Sequence, residues 1–354
     1  MTRTAVVAMS GGVDSSVAAA LMKQEGYEVI GIMLKLWQGP GANNESGCCS
    51  LDAAEDARRV AQVLDIPFYV LNFAERFSST VIADFVAGYS EGRTPNPCVE
   101  CNRRVKFSAL LDRAKAYGAE VLATGHYARV ETAGGRRRLL RARDGGKDQS
   151  YVLHMLGPDE LAWARFPIGE HTKARVREIA AALGLRTAAK PESQEICFVP
   201  DGKVHAFLSR VVPDGSRPGP ILDADGRRLG THRGFAHYTV GQRRGLGVGA
   251  GVPLYVREVR PGDNAVVVVP SEGLGVWELE LTDVSFVAGE APDRFQASVM
   301  TRYRGPEAPA TIERYGQGWR VTFDELQRPS APGQAAVFYR EEEVLGGGRI
   351  VCSS

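Results

Sequence analysis

Ser10-Gly11-Gly12-Val13-Asp14-Ser15-Ser16 stands between an apolar run at residues 4–9 and a helical pattern that begins at Val13. Two adjacent glycines allow a tight turn in which several backbone N–H groups face one concavity. The N-terminus of the following helix adds partial positive charge. Ser15 and Ser16 offer hydroxyls to the same point, so the segment suits the binding of an anion such as phosphate. It lacks the Gly-Lys-Ser/Thr ending of a Walker loop, so γ-phosphoryl transfer through that lysine is not expected. Gly-Gly alone would equally serve an ordinary strand-to-helix turn capped by Asp14 or Ser15.

Cysteines form the second group. Cys98 and Cys101 lie in Thr94-Pro95-Asn96-Pro97-Cys98-Val99-Glu100-Cys101-Asn102, and Cys197 lies in Ser193-Gln194-Glu195-Ile196-Cys197-Phe198. The pattern predicts a helix over residues 102–117, which would put Cys101 at or beside its start. There the helix dipole, with Arg103, Arg104 and Lys106, would lower a thiol pKa from about 8.5. Three readings stay open on spacing. Cys197 between Ile196 and Phe198 suits core packing, and a thiol pair suits sulfur or redox chemistry. Cys-x-x-Cys with a third cysteine falls short of a four-ligand zinc site but matches a cluster with one open iron. Cys48, Cys49 and Cys352 have no such context. His126 adjoins a motif, Ala123-Thr124-Gly125-His126-Tyr127, though alone it reads as a structural histidine; the other histidines lack ligand spacing.

These residues need elements to position them. Residues 4–9, 27–36, 68–71 and 120–124 read as strands. They alternate with helical patterns over 13–25, 51–64, 75–88, 102–117 and 172–183. That rhythm predicts an α/β domain, a doubly wound and mostly parallel sheet with helices on both faces. After about residue 205 the texture changes. A Pro/Gly/Asp-rich stretch at 213–226 reads as a linker or hairpin. Short β-like runs then follow at 252–256, 265–269, 277–281, 297–303, 311–314, 319–323 and 335–339. We expect a catalytic domain over 1–204, a small β-rich central domain over 205–275 and a C-terminal β-barrel over 276–354.

The 354 residues carry 43 basic and 42 acidic side chains, a formal charge of +1, which excludes a wholly basic nucleic-acid coat but not a local basic surface. Residues 125–150 hold seven basic residues against three acidic ones, enough for phosphate contacts, although Gly-Gly-Arg-Arg-Arg also suits a solvated hairpin. Arg243-Arg244 within glycines could approach a backbone, and Arg302-Tyr303-Arg304 pairs charge with a stacking ring. No stretch of eighteen apolar residues could span a membrane. The N-terminus shows no secretory pattern and the six cysteines are too few for a disulfide scaffold, so a reducing cytoplasm is expected.

Taken together, several segments resemble one family, the bacterial tRNA-specific 2-thiouridylases. They are the PP-loop-like turn, Thr94-Pro95-Asn96-Pro97 with Cys101-Asn102, residues 123–127, residues 193–198 and Lys147-Asp148-Gln149-Ser150-Tyr151. Thr239-Val240-Gly241-Gln242-Arg243-Arg244-Gly245-Leu246-Gly247, Thr301-Arg302-Tyr303-Arg304 and residues 332–339 complete the set. PP-loop enzymes of the adenine-nucleotide hydrolase-like fold cleave ATP between its α- and β-phosphates. The resemblance implies ATP, with Mg2+, at Ala8, Met9, Ser10, Gly11, Gly12, Val13, Asp14 and Ser15, with the adenine near Met33 and Gly125. It implies adenylation of oxygen 2 of a wobble uridine, then sulfur transfer from a persulfide on Cys197 with Cys101 as partner thiol. It places the target base at Asn96, Pro97 and Cys98, with His126 close by, and further tRNA contacts at Lys147, Asp148, Gln149, Arg302, Tyr303 and Gln334. A cysteine desulfurase or sulfur-relay protein is the implied donor.

Cys98 stands where many members carry an aspartate, which removes the usual proton shuttle and completes a Cys98, Cys101, Cys197 triplet. A 4Fe–4S cluster on that triplet is the alternative sulfur route. Two other classes compete: a PP-loop ligase adenylating a small molecule, which needs neither thiol nor an RNA-binding tail, and a non-enzymatic RNA-binding module, which leaves the glycine turn unexplained.

Overall fold

The computed structural model describes residues 3–37, 50–192, 196–199, 202–249 and 251–353. Cys48 and Cys49 lie outside the described residues, as do Ser193, Gln194 and Glu195.

Five parallel strands form the first sheet, in the order β3 (Phe68–Asn72), β2 (Glu28–Lys35), β1 (Thr4–Ala8), β4 (Val121–Thr124) and β7 (Ala164–Arg165). The central strands are apolar at successive positions because both sheet faces are covered. Ala5, Val7, Met33, Val121 and Ala123 point into one core, with helices Val13–Gln24, Leu51–Val63 and Lys173–Ala182. Val6, Ile32, Leu34 and Leu122 point into the other, with Phe77, Phe85, Val105 and Leu110. The expected doubly wound α/β sheet is therefore present.

Between β4 and β7 the chain makes a hairpin, β5 (Arg129–Ala133) and β6 (Arg136–Leu140). A four-stranded sheet follows, in the order β10 (Leu254–Arg260), β11 (Ala265–Pro270), β8 (Gly219–Leu222) and β9 (Arg228–His232). The turn-rich stretch at 213–226 thus opens the β8–β9 hairpin.

The remaining strands are β12 (Val276–Phe286), β13 (Arg294–Met300), β14 (Glu307–Tyr315), β15 (Gly318–Gln327), β16 (Ala335–Arg340) and β17 (Glu343–Ser353). They pair in the order β12-β15-β14-β13-β16-β17, and β17 pairs back onto β12, closing a six-stranded barrel. Phe286, Phe295, Trp319 and Phe338 meet edge-on or tilted inside it. Strand β6 adds to β17 through Leu139↔Val344 and Leu140↔Glu343, so a hairpin from the first 200 residues extends the barrel sheet.

Most of the basic side chains of residues 125–150 are engaged in ion pairs or backbone contacts within the protein. Arg129 is buried and reaches Glu131, Glu170 and Glu342. Arg136 and Arg138 pair with buried Glu343, Arg137 donates to the Leu161 carbonyl, and Arg143 pairs with Glu170. Arg141 reaches Asp148 and Glu307 and lies over the Tyr339 ring. Carboxylates from distant sequence neutralise the local excess. No helix among the described residues is long and apolar enough to cross a membrane.

Candidate active site

The glycine turn leaves β1 at the C-terminal edge of the parallel sheet, where open α/β folds place their ligands. Gly11 has φ +72°, and a Cβ there would meet the Ala53 carbonyl oxygen at 2.2 Å, so only glycine fits. Ser15 Oγ accepts from Ser10 N at 3.0 Å and donates to the Gly12 carbonyl at 3.1 Å; Ser16 Oγ also donates to Gly12 O, at 2.8 Å. The hydroxyls hold the turn's shape. Met33 is buried near the end of β2, one residue past the Ala8↔Ile32 pair.

Gly125 follows β4, and a Cβ on it would sit 2.6 Å from Ser15 N. The residue after β4 therefore lies against the turn. The next residue, His126, faces the other way: its Nδ1 is 2.7 Å from Thr124 Oγ1 and its Nε2 is 3.4 Å from Lys106 Nζ. An ammonium only donates, so Nε2 is the acceptor and Nδ1 carries the proton. Burial, and then the Lys106 charge, hold the His126 pKa well below its usual value, so the ring is neutral at pH 7. Phe107 and Phe166 pack against it and against each other, with ring centroids 6.0–6.3 Å apart.

Lys106 belongs to a helical run over residues 97–116 whose Asn102–Leu110 stretch is widened to π-type geometry. This corrects the predicted start at residue 102. Asn96 caps the helix, its Oδ1 accepting from Cys98 N at 3.1 Å, and Pro97 occupies the first turn. Cys98, not Cys101, stands at the helix start; Cys101 ends its first segment and is buried against the large core. Cys98 reaches solvent but is hemmed in by protein. Desolvation raises its thiol pKa and Lys106 works in the opposite direction. Cys197 is half-buried and packs against the same core as Cys101, beside Phe198 in the ring cluster of Phe77, Phe85 and Phe207.

The loop before the helix is gripped by the barrel. Gln334 Nε2 donates to the Thr94 carbonyl at 2.7 Å, and Thr94 N donates to the Pro332 carbonyl at 2.7 Å. Arg349 donates to Asp84 at 2.7 Å and to Glu100, next to Cys101, at 3.0 Å. Arg302 lines a cavity of about 430 Å³ shared by Thr94, Thr239, Tyr255 and Ser330. Tyr303 donates to the Asp148 carbonyl at 3.1 Å. Its hydroxyl pKa is raised by desolvation, with Arg304 acting in the opposite direction.

Residues 147–149 are largely occupied with the protein itself. Lys147 pairs with Glu192 at 2.7 Å. Asp148 accepts from Ala142 N and from Ser150 N and Oγ, and Gln149 Oε1 accepts from Tyr127 N at 3.0 Å.

Sequence reasoning missed Lys173, Lys190, Glu192 and Arg349. Lys173 Nζ is 2.8 Å from both Asp14 oxygens and 3.0 Å from Glu192; Lys190 Nζ is 3.0 Å from the Gly11 carbonyl and 2.6 Å from Asp56. Nothing local marks these residues. Among the described residues no three Cys, His, Asp or Glu side chains converge where a metal ion could be held.

A parallel sheet whose first strand empties into a lysine-free glycine turn defines an α/β nucleotide-binding protein of the PP-loop class. Three family models match in sequence order: a tRNA methyl transferase HUP domain over residues 3–201, a tRNA methyl transferase PRC-barrel domain over 205–270, and an aminomethyltransferase beta-barrel domain over 276–350. The chain is 51% identical over 351 residues to the tRNA-specific 2-thiouridylase MnmA of Moorella thermoacetica, covering 98% of each. It is 50% identical over 349 residues to the protein of that name from Chloroflexus aggregans, covering 98% of this chain and 97% of that one. A solved 4-thiouridine synthetase–RNA complex with bound ATP overlaps 60% of this chain and 51% of its own, at 18% identity and TM-score 0.38. The chain belongs to the tRNA-specific 2-thiouridylase family.

Proposed function

We propose that this protein is an ATP-dependent tRNA-uridine 2-sulfurtransferase. The observation that carries the reading is the loop after β4: Gly125 packs on the glycine turn while its neighbour His126 touches Lys106 on the cysteine helix. Two consecutive residues thus join an anion cradle to a thiol-bearing helix, as activation and sulfur delivery at one base require. We take residues 1–204 as the catalytic unit, 205–275 as the central unit and 276–354 as the tRNA-binding barrel.

ATP is held as substrate by residues 8–15, with Met33 and Gly125 beside the adenine; Mg2+ would accompany its phosphates. Uracil oxygen 2 attacks the α-phosphorus and pyrophosphate leaves with the bridging electron pair. The terminal sulfur of a Cys197 persulfide attacks C2, and AMP departs with oxygen 2. Cys101 then attacks the Cys197 sulfur, forming a disulfide and releasing the thiolated base; an external dithiol reopens the bond. The target base lies at Asn96, Pro97 and Cys98, near His126, with tRNA contacts from Lys147, Asp148, Gln149, Arg302, Tyr303 and Gln334. Neutral His126 carries no charge and the raised Cys98 thiol is a weak acid, while Lys106, 3.4 Å from His126 Nε2, brings a cation to this place. A cysteine desulfurase or relay protein supplies the sulfur. The alternative route runs through a cluster on Cys98, Cys101 and Cys197.

After turnover without reductant, peptide mass spectrometry should find Cys101 linked to Cys197. Cys101→Ser and Cys197→Ser should each stop thiolation while tRNA binding persists. Full thiolation by both single variants would overturn the sulfur path.

A further inference from the structure

The glycine turn carries no lysine of its own, yet two ammonium groups reach it from far along the chain. Lys173, 159 residues after Asp14, has a side chain only 12% exposed and contacts both oxygens of that carboxylate. Lys190, 179 residues after Gly11, contacts the Gly11 carbonyl. Both ammonium groups are thus held at the turn itself, one by a side chain and one by a backbone carbonyl. We propose that Lys173 and Lys190 are the phosphate-holding cations of this site, binding the pyrophosphate half of a nucleoside triphosphate.

The charges at the turn support the assignment. Asp14, Asp56 and Glu192 place three carboxylates there, paired with Lys147, Lys173 and Lys190 and, at 3.9 Å from Asp56, Arg186. A polyanion entering beside three carboxylates needs cations that can turn toward it. Lysine suits this because its ammonium is a point charge on a flexible stem. Asp14 keeps a partner when Lys173 turns away, since the Tyr127 hydroxyl also donates to it at 2.8 Å. As the bond from the α-phosphorus to the bridging oxygen breaks, the electron pair stays on pyrophosphate, and an ammonium turned onto it stabilises that charge. The competing explanation is that both lysines are ion-pair struts tying residues 173–192 to the turn.

The inference rests on the glycine turn being the triphosphate site. Inorganic pyrophosphate binding to the full chain, measured by calorimetry with and without Mg2+, separates the possibilities. Lys173→Met and Lys190→Met should each weaken binding by roughly tenfold to a hundredfold, the effect of losing a charge-assisted hydrogen bond. Lys173→Arg should recover most of it. Arg175→Met is the control for lost charge, because Arg175 pairs with exposed Glu178 on the surface of the same helix; its affinity should match wild type. Unchanged pyrophosphate affinity in both lysine variants, with a lowered melting temperature, would make them struts and overturn the assignment alone. No pyrophosphate binding by the wild type would overturn the glycine-turn reading with it.

Discussion

Arg349 on β17 ties the barrel to the cysteine helix through Glu100, and its removal has a calculable consequence. Its guanidinium, 18% exposed, bonds Asp84 and Glu100 and lies 3.6 Å from Asp283. Arg349→Met leaves Glu100, 9% exposed, with only the longer contacts to Arg103 at 3.8 Å and Arg104 at 3.5 Å. Breaking a fully buried pair from one side costs about 3–5 kcal/mol. Asp84 and Asp283 are partly solvated, so the larger part of that figure is discounted. About 2 kcal/mol remains, concentrated on the helix that begins at Pro97, and it corresponds to roughly thirtyfold easier local opening. Hydrogen exchange resolved by peptide should therefore show protection lost over residues 97–116 and retained in the parallel sheet. Adding Glu100→Gln should restore much of it, because the stranded charge is then gone. Unchanged exchange over 97–116, or a double variant worse than the single, would refute the idea that the barrel holds the thiol helix.

Two further outcomes follow from the site. Gly125→Ala would drive a methyl group into the backbone at Ser15, so ATP affinity measured by calorimetry should fall at least about tenfold while the barrel core stays intact. Lys147, and then Lys173, lower the Glu192 pKa to about 2 against an ordinary value of 4.5. A depressed carboxylate stabilises the fold above its unfolded pKa, so that contribution should be present above about pH 4.5 and disappear as the pH falls toward 2. Acid denaturation of wild type and Glu192→Gln should accordingly converge over that window; a constant gap between the curves would contradict the pairing.

What could be read from sequence was what lies close in sequence. The glycine turn is a local device, and strands apolar at successive positions announce a sheet covered on both faces, so the doubly wound domain and the β-rich tail were legible. The start of the cysteine helix was misplaced although its signal was there: Asn96 followed by Pro97 is a cap followed by a first-turn proline. The acidic partners of the arginines of residues 129–143 were not legible, because Glu307, Glu342 and Glu343 arrive from the barrel. Lys173 and Arg349 were invisible for the same reason, since each acts across more than 150 residues, 159 to Asp14 and 249 to Glu100.

The central claim is that a nucleotide cradle and a thiol helix act on one tRNA base. Nucleoside mass spectrometry tests it most directly, on tRNA incubated with this protein, ATP, Mg2+ and a persulfide donor, with the nucleotide products followed in parallel. The expected result is 2-thiouridine in the tRNA, formed together with AMP and pyrophosphate and absent when ATP is omitted. Unmodified tRNA with ATP converted to ADP, or thiolation that proceeds equally well without ATP, would contradict it.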